Sequence, residues 1–277
     1  MNNLTQRIIT GTLFVAIVIG CISWNIYSTA VLFLVLSTLG SIELYQILNK
    51  KHLSNNTKYG PVVNVVVYTI LTLVFIEHLP YIALIAIIPF FIILVMLELF
   101  IKDDIPYQNI SSTLFAVLYI TLPFAVLNYM SFNEEIYAKI GMEENWNILA
   151  GFLIILWTSD SMAYVVGRLI GKHKLFERIS PGKTWEGFFG GIILAIGFAA
   201  LSTYAFFPEL PFEVSIPLAI VMALVGVGGD LTESAMKRGA KTKDTANILP
   251  GHGGILDRLD SLLFNAPILY YFARFYF

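Results

Sequence analysis

The chain has 277 residues, of which 57% are hydrophobic and only 13% charged, with a mean hydropathy of +0.76. Soluble domains carry about 25% charged residues, so the composition excludes an ordinary soluble enzyme and points to an integral membrane protein. The net charge of -2 says little, because its distribution matters more than its sum, and Cys21, the single cysteine, excludes an intrachain disulfide.

A membrane span needs about 20 apolar residues. Nine are predicted, at about 7–26, 28–48, 60–77, 80–101, 108–130, 147–168, 184–206, 213–232 and 257–276. The first run, from about Ile8 to Ile26, is long for a signal peptide and has no convincing small-x-small cleavage site, so it reads as a retained span. The last is the weakest, because it opens with Asp257, Arg258 and Asp260. No span reads as a strand, and helices alone then satisfy the backbone in lipid. The expected fold class is an all-α polytopic integral membrane protein. No repeat, low-complexity segment or soluble domain is visible.

An odd number of spans puts the termini on opposite sides. With the N-terminus inside, all of the 17 lysines and arginines except Lys139 and Arg274 face the cytoplasm. That is a strong positive-inside bias. The expected organisation is 1–130 as about five N-terminal spans and 131–146 as an acidic external loop. The region 147–277 follows, with about four spans and two basic cytoplasmic loops, near 169–183 and 233–256. A cytoplasm-facing active site is expected in this C-terminal half.

Two acids lie in spans. Asp160 is roughly 12 Å from the cytoplasmic end of its helix at 1.5 Å per residue, and Asp230 closes span eight after Gly226, Gly228 and Gly229. A carboxylate deep in a span costs about 2.5–3.5 kcal/mol on insertion scales. It therefore faces a polar cavity with a partner, or makes a structural or interfacial contact. Glu43 and Glu98 lie near span ends, read as interfacial, and are set aside. At 180–187, Ser-Pro-Gly-Lys-Thr-Trp-Glu-Gly opens span seven. A P-loop is excluded, because Glu177 stands where the first glycine is required and no strand precedes it. Lys183 and the free amides of a helix start can still form an anion site.

The segment from Ser234 to Asp260 concentrates the charge. Lys237, Arg238, Lys241, Lys243 and Arg258 stand beside Asp244, Asp257 and Asp260, with Gly251-His252-Gly253-Gly254 between the two groups. Anchoring to anionic headgroups explains the cations but neither the aspartates nor the glycines. Glycines let a backbone approach a phosphate. Asp257 and Asp260, at i and i+3, repel unless a cation lies between them. Mg²⁺ suits that place, since it takes one or two carboxylates plus substrate phosphates. His252 has no second histidine or cysteine to make a zinc set; it can donate to a phosphate oxygen or act as an acid.

These residues resemble a known family. Ser234-x-Met236-Lys237-Arg238, then Lys243-Asp244, then Leu249-Pro250-x-His252-Gly253-Gly254-Ile255-x-Asp257-Arg258-Leu259-Asp260 is similar to the signature of the phosphatidate cytidylyltransferases. Asp160-Ser161-x-Ala163-Tyr164 and the 180–187 motif also fit that pattern, so the resemblance covers about 157–260 in detail. It implies that CTP and phosphatidate give CDP-diacylglycerol and pyrophosphate for phospholipid synthesis. It also implies Mg²⁺ dependence, with a second cation open, and a homodimer. The expected location is the inner (cytoplasmic) membrane, and no nucleic-acid partner is expected.

Under that resemblance Asp230 and Asp257 are the leading metal ligands, supported by Asp160 and Asp260. Lys237, Arg238, Lys243, Asp244, His252 and Arg258 are expected to act at the reacting phosphates. Ser180, Lys183, Thr184, Gly253 and Gly254 are expected to bind substrate. Two other classes stay open: a CTP-dependent polyprenol kinase, which would release CDP, and a non-enzymatic lipid-binding or transport protein.

Overall fold

A computed structural model describes residues 3–51, 59–98, 100, 106–132, 147–205, 211–246 and 253–276. They fall into two compact units, Met1–Phe132 with Gly239–Arg258, and Asn133–Arg238 with Leu259–Phe277. The basic segment after Gly239 thus packs with the N-terminal helices.

The first unit contains α1 (Asn3–Trp24), α2 (Ile26–Asn49) and α3 (Tyr59–Phe75). A 3₁₀ segment, Tyr81–Ala86, leads into α4 (Ile87–Glu98). Then α5 (Pro106–Ala116) passes through a π turn, Val117–Thr121, into α6 (Leu122–Phe132). Asn25 starts α2 with a reciprocal cap: its Oδ1 accepts from Ser28 N at 2.9 Å, and its own N–H donates to Ser28 Oγ at 3.1 Å. Such a cap stabilises a helix by about 1 kcal/mol.

In lipid there is no hydrophobic force between helices, so polar side chains tie them together. Asn64 Nδ2 on α3 donates to Ser37 Oγ and Thr38 Oγ1 on α2, both at 3.2 Å. Thr121 Oγ1, from the π turn, donates to Asn64 Oδ1 at 2.7 Å. Asn128 Nδ2 on α6 donates to Thr72 Oγ1 at 2.9 Å. Each such bond contributes about 0.6 kcal/mol in a membrane. Around them Tyr45, Tyr68, Phe124, Leu127 and Met130 are buried, whereas α4 buries no residue and presents Ile88, Ile92, Ile93 and Met96 outward.

The second unit contains α7 (Asn147–Ile170), α8 (Trp185–Ala205), most of α9 (Phe212–Gly239) and α10 (Leu256–Tyr276) from Leu259 onward. The departure from an all-helical reading is an antiparallel hairpin, β1 (Lys174–Phe176) and β2 (Ser180–Thr184), with Lys174 opposite Thr184 and Phe176 opposite Ser180. Strands this short, in a polar loop without hydrophobic alternation, leave no periodic signal to read. Among the described residues, six helices are long and apolar enough to cross a membrane: Ile26–Asn49, Tyr81–Glu98, Pro106–Ser131, Ile148–Ile170, Trp185–Tyr204 and Phe212–Gly239. Shorter apolar helices span Ile9–Trp24 and Tyr59–Phe75. The protein is a predominantly helical, multi-pass membrane protein.

Candidate active site

In the second unit α7 and α8 run close together because glycine faces the contact. A Cβ on Gly187 would lie 2.6 Å from Ala163 O, and one on Gly191 2.8 Å from Ala163 Cβ. Small residues at such crossings are the usual route to close helix approach in membranes. The crossing leaves a cavity of about 460 Å³. Asp160, Ala163, Tyr164, Gly167 and Arg168 of α7 line it, at i, i+3, i+4, i+7 and i+8, which is one helical face. The hairpin adds Ser180, Gly182, Lys183 and Thr184, and α9 adds Val227 and Asp230.

The hairpin is fixed to the start of α8. Thr184 caps that helix, its Oγ1 accepting from Gly187 N at 3.2 Å. Glu186 Oε2 accepts from Lys172 N at 3.0 Å and from His173 N at 3.2 Å, and Glu186 Oε1 lies 2.6 Å from His173 Nδ1. Lys174 Nζ donates to Pro181 O at 2.7 Å. These contacts hold Lys183 on β2, with Thr184 between it and the first residue of α8. Its ammonium lies 2.6 Å from Asp230 Oδ2, both side chains partly shielded. The other oxygen of Asp230 accepts from Ser234 Oγ at 3.2 Å.

Close approach also brings the acids of α9 and α10 together. A Cβ on Gly229 would stand 2.6 Å from Asp260 O. One turn on, Asn265 Nδ2 donates to Met222 O at 3.1 Å. Asp260 is then within electrostatic reach of Asp230, Glu233 and Asp160, and Asp160 has Ser261 as a hydrogen-bonding neighbour. Glu233 is fully buried and pairs with Lys237 at 2.9 Å, so Lys237 is held along α9. Arg238 Nε donates to Ile179 O at 3.4 Å, at the hairpin. Among the described residues, no three His, Cys, Asp or Glu side chains form a ready metal cage. Asp160 and Asp230 nevertheless line the same cavity, and two carboxylates are a donor set that Mg²⁺ takes when phosphates and water supply its other ligands.

The first unit holds the other part of the signature. Asp257 Oδ2 accepts from Thr245 N at 3.0 Å and from Gly254 N at 2.8 Å, and it lies 3.0 Å from Thr245 Oγ1. Gly253 has φ of +84°, a conformation that favours glycine, and a Cβ there would sit 2.7 Å from Asp257 Oδ2. Lys243, Asp244 and Arg258 are exposed.

The structure therefore gathers Asp160, Ser180, Lys183, Thr184 and Asp230 around one cavity, with Asp260 in electrostatic reach, in the second unit. It gathers Gly253, Gly254 and Asp257 in the first. His252 lies outside the described residues. Arg168 lines the cavity but was not singled out from sequence, where it reads as one more cytoplasmic cation. Glu43 corrects an expectation: it is not interfacial but fully buried, and it accepts from Thr245 Oγ1, Ile255 N and Leu256 N. Glu98 accepts from Asn109 Nδ2 at 3.2 Å and lines a separate, mostly apolar cavity.

The cytidylyltransferase family model matches residues 5–276. A phosphatidate cytidylyltransferase of Bacillus subtilis (strain 168) is 47% identical over 118 residues, 43% of this chain and 44% of that protein. One of Haemophilus influenzae is 42% identical over 134 residues, covering 47% and 46%. One of Staphylococcus saprophyticus is 36% identical over 168 residues, covering 61% and 60%. The aligned stretches thus span less than two thirds of the length of these relatives. With the family pattern running almost from end to end, the chain belongs to the cytidylyltransferase family.

Proposed function

We propose that this protein is a phosphatidate cytidylyltransferase, transferring a cytidylyl group from CTP to phosphatidate to give CDP-diacylglycerol and pyrophosphate. The observation that carries the reading is one cavity lined by Lys183, Arg168, Asp160 and Asp230, with Lys183 paired to Asp230. Paired cations and carboxylates in one recess suit a phosphate ester and its metal ion. The relatives named phosphatidate cytidylyltransferase supply the substrate class.

In this reaction a phosphate oxygen of phosphatidate attacks the α-phosphorus of CTP. The bond from that phosphorus to the oxygen bridging it to the β-phosphate breaks, and pyrophosphate leaves. Phosphatidate is already an anion, so no strong general base is required. The protein's task is to bring two polyanions together and offset charge at the α-phosphorus and on the leaving group. Lys183 and Arg168 neutralise phosphate in the cavity. Arg238 supplies a further cationic contact, Ser180 and Thr184 donate to phosphate oxygens, and Lys243 and Arg258 are each phosphate contacts in this reading. Asp230 and Asp257 are each metal ligands in this reading, with Asp160 and Asp260 in support. Mg²⁺, when bound, supplies charge neutralisation at the phosphates.

The same reading takes nine spans, an N-terminus in the cytoplasm, the inner (cytoplasmic) membrane and a homodimer. The positive-inside distribution supports the orientation. The test is to incubate purified protein with Mg²⁺, phosphatidate and each of the four nucleoside triphosphates, following pyrophosphate and lipid product together. Pyrophosphate and CDP-lipid with CTP alone support the proposal. Release of CDP with a phosphorylated lipid assigns a kinase instead, and no product with any nucleotide favours binding or transport.

A further inference from the structure

Glu43 is a carboxylate with no exposure, on the second helix of the chain, and its partners lie more than 200 residues downstream. Its Oε1 accepts from Ile255 N at 2.8 Å. Its Oε2 accepts from Leu256 N at 2.8 Å and from Thr245 Oγ1 at 2.6 Å. Ile255 and Leu256 stand at the start of α10, where the first N–H groups of a helix have no partner within it. A buried carboxylate without donors would be costly. This one is fully served, and the positive end of α10 suits its charge.

The same hydroxyl connects Glu43 to the signature. Thr245 Oγ1 also lies 3.0 Å from Asp257 Oδ2, and that oxygen accepts from Thr245 N and Gly254 N. A hydroxyl has one hydrogen to give, and the shorter contact is to Glu43. Gly254 fits against this cluster only without a side chain, since a Cβ there would collide with Thr245 Oγ1 and Glu43 Oε2. Glu43 and Asp257 therefore both hold Thr245, Asp257 through its N–H and Glu43 through its hydroxyl, and between them take the N–H groups of Gly254, Ile255 and Leu256.

Resting on the cytidylyltransferase reading above, we infer that Glu43 is a positioning residue of the reaction. Through Thr245 and the start of α10 it sets the placement of Asp257, a group proposed to ligate Mg²⁺. It does not touch substrate. Glu43→Gln keeps the shape but puts an NH₂ where one oxygen accepts, leaving at least one of the three donors unserved.

The experiment compares wild type, Glu43→Gln, Thr245→Val and Thr245→Ser as full-length protein in detergent. Three quantities are read: amide exchange of a peptide covering 253–258, Mg²⁺ binding by calorimetry with CTP present, and the Mg²⁺ dependence of the rate. Glu43→Gln and Thr245→Val are expected to speed amide exchange and weaken Mg²⁺ binding by about tenfold, the usual scale for groups that orient a metal ligand. Thr245→Ser keeps the hydroxyl and is expected to match wild type. A merely structural role would lower the melting temperature and the folded yield but leave the Mg²⁺ dependence of the folded protein unchanged, which overturns the inference. Unchanged amide exchange in Glu43→Gln overturns it too. If Glu43→Gln does not fold, the difference between Thr245→Val and Thr245→Ser decides. A wild-type protein that makes no CDP-lipid overturns the proposed function instead, and Mg²⁺ binding with amide exchange still decides on Glu43.

Discussion

Lys183 Nζ lies 2.6 Å from Asp230 Oδ2, joining the hairpin to α9 at the cavity that both residues line. The cation proposed to hold a phosphate thus rests on a carboxylate proposed to hold a metal. Binding a metal–phosphate complex exchanges one ion pair for two, so each group is prepaired with the charge it must later give up. An interaction of this kind has two separable roles, in stability and in turnover.

The pair predicts a specific pattern of rescue. Lys183→Met and Asp230→Asn should each lower turnover by about a hundredfold or more, roughly 2.7 kcal/mol of transition-state stabilisation. The exchanged variant, with Lys183→Asp and Asp230→Lys together, should recover much of the melting temperature and none of the turnover. Recovery of both would make the pair structural. Initial rates and thermal melts in one detergent measure the two.

Metal dependence gives a second expectation. Asp230→Asn should abolish turnover without altering expression or oligomeric size. Asp257→Asn should do more, because Asp257 Oδ2 also accepts from Thr245 and Gly254. Leaving such donors unserved costs about 1–3 kcal/mol, so this variant should melt lower as well as turn over slowly. Chelation of Mg²⁺ should stop the wild-type reaction, and adding it back should restore the rate. Near-normal turnover of either variant at limiting Mg²⁺ removes that aspartate from the metal shell.

Hydropathy made the helical body legible, because long apolar runs have one structural solution in lipid. Asp160, Lys183 and Asp230 stood out as candidates, since charge in or beside a span needs a reason, and the structure lines one cavity with all three. Their pairing was not legible, because which cation meets which carboxylate depends on how close Gly187 and Gly229 let the helices come. Glu43 was misread for a related cause. Its position near a span end looks interfacial, and its donors, at Thr245, Ile255 and Leu256, are two backbone amides and a hydroxyl with no sequence signature. The hairpin was invisible because a three-residue strand and a five-residue strand have no period to detect.

The α7–α8 crossing tests how the cavity is shaped. At Gly187 an added methyl would meet Ala163 O at 2.6 Å and Gly167 Cα at 2.9 Å, both on α7. Backbone gives way less readily than a side-chain tip, so Gly187→Ala should destabilise by about 1–3 kcal/mol. The helices separate and the cavity loses its geometry, so turnover should fall with stability. Gly182→Ala meets nothing within 4 Å and should be silent in melting. A melt series of the two variants checks the contrast.

Orientation follows from charge. Single-cysteine labels at Ser54, Ser180 and Thr242, in a Cys21→Ser background, should react from the cytoplasmic side, and a label at Asn133 from the opposite side. Finding Asn133 and Thr242 on one side would remove the nine-span reading, since that reading requires an odd number of crossings between them.

The last prediction separates charge from geometry in the basic segment. Arg238 reaches back to the hairpin, Nε to Ile179 O at 3.4 Å, while Lys243 is exposed beside Asp244. If these cations only attract anionic lipid, any cation serves. If they hold phosphates in a fixed frame, a planar fork and a point charge are not equivalent. Arg238→Lys and Lys243→Arg should then each lower the rate at saturating phosphatidate by at least about tenfold, or roughly 1.4 kcal/mol. Arg238→Lys should also loosen the hairpin, since lysine has no Nε–H to offer Ile179. Turnover is measured in neutral detergent, where surface attraction contributes nothing. Wild-type rates for both variants there would assign the cations to anchoring and leave Lys183 and Arg168 as the phosphate contacts.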